Sequence, residues 1–169
     1  RIDGNYSDSR RPDSITFTRN LKEDLKRRDF TINAMAYNDE VGLVDPFNGM
    51  EDIEHYKIRC VGRAEDRFSE DALRILRAIR FASQLGFVLE PDTDWNISKM
   101  YKNLENISIE RINSEFCKIA ASSDFCVQMV LYHEVFSLFI PEIKDMFGFQ
   151  QNNPSVSYTH LRAHETCAD

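Results

Sequence analysis

Residues 67–81 read Arg67-Phe68-Ser69-Glu70-Asp71-Ala72-Leu73-Arg74-Ile75-Leu76-Arg77-Ala78-Ile79-Arg80-Phe81. Leu73, Ile75, Leu76 and Ile79, continued by Ala82 and Leu85, recur at helical spacing and form a broad apolar face. Ser69 is a good N-cap, Glu70 and Asp71 suit the positive end of a helix, and Gly86 is placed to stop it. One helix from Ser69 to Gly86 is therefore expected. On it Asp71 and Arg74 are i,i+3 neighbours, and Glu70, Arg74, Arg77 and Phe81 share one stripe.

Downstream of that helix the pattern stays helical, with further helices expected around 94–102, 109–121 and 124–139. Upstream it changes. Ile15-Thr16-Phe17-Thr18 alternates and is β-branched, as a short strand does, and 21–29 is charged and fits a short helix or turn. Thr31 can cap a helix running through Ile32, Ala34, Met35 and Ala36. Val41-Gly42-Leu43-Val44 reads as a small β element, Asn48-Gly49 as a turn, and Ile58 to Val61 as a connecting strand before Gly62. The chain is thus α+β, a mixed sheet-and-helix part followed by an all-helical part, with the change near Gly62.

The 169 residues are 42% hydrophobic and 29% charged, the balance of a globular chain, and no stretch approaches the roughly 20 apolar residues of a membrane span. The start, Arg1-Ile2-Asp3-Gly4, has neither a signal peptide's apolar run nor a methionine, so a piece of a cytoplasmic protein is expected. Cys60, Cys117, Cys126 and Cys167 are too irregularly spaced for a disulfide framework or zinc site and read as free thiols. The histidines His55, His133, His160 and His164 show no HExxH pattern, and no metal site is read from Cys or His.

The net charge of −7 leans away from nucleic acid, but it is unevenly spread. Residues 1–57 carry 9 basic and 12 acidic side chains, 58–113 carry 9 of each, and 114–153 carry 2 and 5. A local basic face can bind phosphate while the whole chain stays acidic.

Two clusters carry chemistry. Arg27-Arg28-Asp29-Phe30-Thr31 places two guanidinium forks before a capped helix, which suits a phosphate; Asp29 and Asn33 could then hold a ribose hydroxyl or orient an arginine. In the second cluster a carboxylate (Asp71) beside a guanidinium (Arg74) sets an acceptor beside a donor. Cytosine and adenine both present an amino donor next to a ring-nitrogen acceptor, whereas uracil and guanine present the reverse. An Asp–Arg pair can therefore accept C and A alike and reject U and G. Taken alone, each cluster reads better as an ordinary charged surface, the second as a helical ion pair contributing about 0.2–0.5 kcal/mol.

The order of the motifs narrows the reading. Arg27-Arg28-Asp29-Phe30-Thr31-Ile32-Asn33-Ala34, then Val44-Asp45-Pro46-Phe47-Asn48-Gly49-Met50-Glu51-Asp52-Ile53, then Ile58-Arg59-Cys60-Val61-Gly62, then Arg67-Phe68-Ser69-Glu70-Asp71-Ala72-Leu73-Arg74 resemble the bacterial class II CCA-adding enzymes and bacterial poly(A) polymerases. The resemblance runs on through Ile109-Glu110-Arg111-Ile112 and Glu115 to Phe149-Gln150-Gln151-Asn152-Asn153-Pro154. It implies a nucleotidyltransferase head remnant over 1–61, a helical neck over 62–113 and the start of a helical body over 114–154. Residues 155–169 resemble a translated sequencing adapter, or else form a short helix, and are set aside.

By the same resemblance the intact protein adds C, C and A from CTP and ATP to the 3′ end of tRNA. Poly(A) polymerase, an A- or CC-adding relative and a noncatalytic RNA-binding module are the alternatives. Arg28 and Asp29 would contact triphosphate and ribose with Asn33 in support. Asp71 and Arg74 would read the base, with Glu70 holding Arg74 and Arg77 beside them. Tyr6, Asp8, Arg10, Arg11 and Pro12 match the family's flexible loop, and Glu110 and Arg111 its neck motif. The family's catalytic carboxylates, which hold two Mg²⁺ ions, lie upstream in a Gly-Ser motif followed by Asp-x-Asp. No Gly-Ser dipeptide occurs here, so this chain is expected to lack catalysis and magnesium ligands. Asp45 and Asp52, the nearest carboxylates, are expected to serve a turn and a helix start.

Overall fold

The computed structural model describes residues 20–147 together with two short strands, β1 (Ile2–Asp3) and β2 (Ile15–Thr16), which pair antiparallel. The flexible-loop residues Tyr6, Asp8, Arg10, Arg11 and Pro12, and the segment from 148 onward, lie outside the described residues.

Helix α1 (Leu21–Lys26) is capped by Asn20, which accepts from the Lys22 N–H at 3.0 Å, and it buries only Leu25. The helix expected after Thr31 does not form. A single 3₁₀ turn spans Thr31–Asn33, and the chain then runs into β3 (Ala36–Asn38), which pairs antiparallel with β4 (Gly42–Val44). The N-cap position falls to Phe30, which makes no side-chain cap bond, and the Thr31 hydroxyl instead donates to Asp52 at 2.6 Å. Helix α2 (Gly49–Glu54) follows, and Asp45 caps it by accepting from the Gly49 and Met50 N–H groups at 2.8 and 2.9 Å. Asn48 turns the corner with φ +60°.

Strand β5 (Lys57–Ile58) pairs parallel with β6 (Val88–Leu89), and between them lie α3 (Ala64–Glu70) and α4 (Leu73–Leu85). The single helix expected from Ser69 is therefore two. Asp71 is extended (φ −151°, ψ 103°), and its carboxylate accepts from the Leu73 N–H at 3.1 Å, so Asp71 rather than Ser69 caps α4. Ser69 sits in the last turn of α3 and donates to the Glu65 carbonyl. Gly86 stops α4 as expected, with φ +65° and its N–H bonded to the Ala82 carbonyl.

Helix α5 (Pro91–Met100) is capped by Glu90 and runs into a 3₁₀ stretch, Tyr101–Asn106, before α6 (Ile109–Ala120). The helix expected over 124–139 is broken at Tyr132 into α7 (Phe125–Leu131) and α8 (His133–Phe136), and α9 (Glu142–Met146) follows. Helices α4 and α6 pack together at the centre. One apolar core joins Phe30 and Ile58 through Phe68, Ile75, Leu76 and Ile79 to Ile112, Ile119 and Phe136. Phe116 meets Phe125, Phe136 and Phe139 edge-on, with centroids 5.8–6.1 Å apart. Cys60, Cys117 and Cys126 are free thiols, and no helix among the described residues is long and apolar enough to cross a membrane.

Candidate functional site

The turn between α1 and the 3₁₀ helix carries Arg27, Arg28 and Asp29, and its shape is set from behind. Thr31 N–H donates to the Arg59 carbonyl at 3.0 Å, and Val61 N–H to the Asp29 carbonyl at 3.0 Å. Asp52, only 2% exposed, accepts from Thr31 Oγ1 and from Arg59 Nε at 3.1 Å. Asp52 thus lies in the first turn of α2, as expected, but it is also a buried acceptor whose link to Thr31 had no signal in a local pattern.

This turn faces the start of α4 and the first turn of α6 across a cleft of about 570 Å³. Of the residues singled out for nucleotide binding, Arg28, Asp29, Asn33, Asp71, Arg74 and Arg77 line it, and Arg111 joins them from α6. Arg27 and Phe81 complete the walls, with Arg27 paired to Asp24 at 2.9 Å. Arg28 is exposed and its side chain makes no ion pair or hydrogen bond among the described residues. Glu70 stands behind the cleft and accepts from Arg74 Nη1 at 2.6 Å and from Arg67. Glu110 points elsewhere, onto a 280 Å³ apolar groove beside Ile109, Phe116 and Ile140.

Apart from Arg28, the charges within the cleft are paired, though not as expected from helical spacing. The Asp71 carboxylate accepts from Arg111 Nη2 at 2.8 Å rather than from the Arg74 side chain; Asp71 is extended at the break between α3 and α4, so its side chain leaves the helical stripe although its carbonyl still accepts from the Arg74 N–H at 3.0 Å. Arg74 donates instead to Glu70, to the Arg67 carbonyl at 3.1 Å and to the Arg27 carbonyl at 3.2 Å. Arg67 donates to the Lys26 carbonyl at 3.2 Å, so two guanidiniums cover the C-terminal carbonyls of α1. Asp29 accepts from Phe30 N–H, Asn33 and Arg77. Burial alone would raise its carboxyl pKa, but the Arg77 charge and these hydrogen bonds outweigh that and hold it below the ordinary value.

No group of three or more His, Cys, Asp and Glu among the described residues is placed to hold a metal ion. Asp29 and Asp71 are each engaged by a guanidinium among further arginines, so the cleft's own residues do not fit the magnesium that the resemblance implies. An Asp-x-Asp triplet does occur, Asp92-Thr93-Asp94, but it opens α5 away from the cleft. There Asp94 accepts from the Tyr132 hydroxyl at 2.7 Å and Asp92 from Asn96 at 3.2 Å.

Comparison with known proteins follows the same lines. The family described as "Poly A polymerase head domain" matches residues 1–59, and that described as "Probable RNA and SrmB- binding site of polymerase A" matches 86–147. A CCA-adding enzyme of Lactobacillus johnsonii is 53% identical over 133 residues, covering 78% of this chain and 33% of the relative. The crystal structure of the Bacillus stearothermophilus CCA-adding enzyme in complex with CTP matches with TM-score 0.68 and 48% identity, over 70% of this chain and 30% of that one. A tRNA nucleotidyltransferase complexed with a primer tRNA and an incoming ATP analog matches with TM-score 0.65 and 36% identity, over 81% and 40%. The chain spans about a third of the length of the curated relatives it matches. With its motifs in family order and its two segments matched in turn, the chain belongs to the family of the CCA-adding enzymes and poly(A) polymerases.

Proposed function

We propose that the chain is the nucleotide-selecting part of a template-independent tRNA nucleotidyltransferase that adds C, C and A to tRNA 3′ ends from CTP and ATP. In this reading residues 1–61 belong to the head, 62–113 to the neck and 114–154 to the start of the body. The carrying observation is the convergence of Arg28, Asp71, Arg74, Arg77 and Arg111 on one cleft from three separate elements. Arg28, without a side-chain partner among the described residues, supplies charge for a triphosphate. Asp71 and Arg74 read the base edge. Their structural contacts leave room for this: of the five N–H donors on a guanidinium, Arg74 commits three, and Asp71 accepts two hydrogen bonds where a carboxylate can accept about four. The tRNA end is the partner, and none of the cleft carboxylates is assigned to catalysis.

Binding of the four nucleoside triphosphates tests this. The chain is expected to select CTP and ATP over UTP and GTP. The double change Asp71→Ala with Arg74→Ala should abolish that selection while leaving triphosphate affinity within a few-fold. Selection that survives the double change would place specificity elsewhere. A poly(A) polymerase is the second reading, favoured by the descriptions of the matching families. Binding confined to ATP would support it.

A further inference from the structure

Most guanidinium and ammonium groups of the described residues meet a carboxylate, from Arg27 with Asp24 beside the cleft to Lys118 with Glu115 on α6. Helix α1 departs from this. Its Lys22 and Lys26 are exposed, and their side chains make no ion pair or hydrogen bond among the described residues. They stand at i,i+4, so one face of α1 carries both, about 6 Å apart along the axis. The acids of the helix do not pair with them. Glu23 and Asp24 are half-buried, and Asp24 accepts from Arg27 at 2.9 Å.

This face is anchored where the cleft begins. Leu25 is buried, and the Arg67 and Arg74 guanidiniums donate to the Lys26 and Arg27 carbonyls at 3.2 Å each. The Arg28 N–H donates to the Leu25 carbonyl at 3.0 Å, so Arg28 follows directly on the helix, and it lines the cleft without a side-chain partner among the described residues. Lys22 and Lys26 do not line the cleft. Three unpaired cations thus run from outside the cleft to its wall. A triphosphate inside the cleft meets only the last of them, whereas a strand whose end enters the cleft carries phosphates to all three.

We infer that the outer face of α1 is a track for the sugar-phosphate backbone of the RNA whose 3′ end enters the cleft, with Lys22 and Lys26 each holding a backbone phosphate. This rests on the tRNA reading of the cleft and adds a contact surface outside the nucleotide site. Backbone contacts carry no sequence information, so the track takes different tRNAs alike and fixes only how the end enters. Equilibrium binding of a labelled tRNA lacking its terminal CCA, followed from low to physiological salt, tests it with the unmodified chain, Lys22→Ala, Lys26→Ala and the double variant. The paired change Lys102→Ala with Lys144→Ala is the control. It removes the same charge from exposed lysines on other elements that also lack partners among the described residues. CTP binding to every variant reports on the cleft itself.

Each single change is expected to weaken tRNA binding several-fold and to reduce the slope of log affinity against log salt by about 0.7–0.9, the double change losing both contributions. The control should keep the slope of the unmodified chain, and CTP affinity should stay unchanged throughout. A double variant with the unmodified slope overturns the inference. So does a control that loses as much as the double variant, because net charge rather than a track would then govern binding. Loss of CTP affinity in Lys22→Ala or Lys26→Ala would place these lysines in the nucleotide site, and the inference falls. The expected tRNA pattern in a chain that does not select CTP and ATP over UTP and GTP overturns the nucleotide-selecting reading alone. An unmodified chain that selects nucleotides but binds no tRNA overturns the track alone.

Discussion

Asp29 shows at the residue scale how a buried carboxylate stays ionised. Burial opposes its charge, and Arg77, Asn33 and the Phe30 N–H together more than offset the burial, so its folded pKa lies below the reference 3.8. A depressed folded pKa contributes stability that is present above the unfolded pKa and lost as pH falls through the folded one. Asp29→Asn should therefore be less stable than the unmodified chain at neutral pH, and the gap should close as pH falls below about 4. Thermal melts of the two proteins between neutral and acidic pH measure this, and a gap that widens on acidification would contradict it. Asp52 lies deeper still, but its work is mechanical: it clamps Thr31 and Arg59 and so fixes the turn that presents Arg28.

Among the elements, α2 packs closely against the 3₁₀ turn at Thr31–Asn33. Gly49, its first residue, lies against the Thr31 backbone, where an added Cβ would come within 2.4 Å of the Thr31 carbonyl oxygen. Neither group is the end of a flexible side chain, so the turn itself would have to move. Gly49→Ala should cost about 1–3 kcal/mol in chemical denaturation and weaken CTP binding as well, because the displaced turn carries Arg28. Gly86→Ala is the control. A Cβ there would meet only Asp124 Oδ2 at 4.0 Å, so its cost is the backbone strain of a left-handed residue, about 1 kcal/mol, with no effect on CTP. Equal losses of CTP affinity in both would refute the role given to α2.

Across the whole molecule, α4 is the member that joins the parts. Its inner face fills the core, its outer face holds Arg74 and Arg77, and its Arg80 crosses to α6 to pair with Glu115 at 2.8 Å, both side chains nearly buried. The partners are not equivalent. Glu115 also has Lys118 at 3.1 Å, whereas among the described residues Arg80 has no second carboxylate and rests on the Phe81 ring at 4.3 Å. Glu115→Gln should thus cost about 3–5 kcal/mol by stranding a buried cation, and Arg80→Met clearly less. Denaturant titrations compare them, and the reverse order would show that Lys118 does not sustain Glu115. At the far side, β3 and β4 leave Tyr37, Val41 and Leu43 largely exposed, in keeping with a hairpin that the rest of the fold does not cover.

The sequence by itself determined the α+β character, the apolar face of α4, the stop at Gly86 and the turn at Asp45. Each is a matter of local spacing or of a residue type with one strong conformational preference, and such preferences act within a few residues. Only the tertiary structure decided which charge meets which. Asp71 could pair with Arg74 three residues away, yet it caps a new helix and pairs with Arg111, forty residues on. Thr31 could cap a helix, yet it serves Asp52, and Asp29 meets Arg77 of α4. An ion pair across packed helices depends on how their faces dock, and side chains there compete for partners that no local window contains.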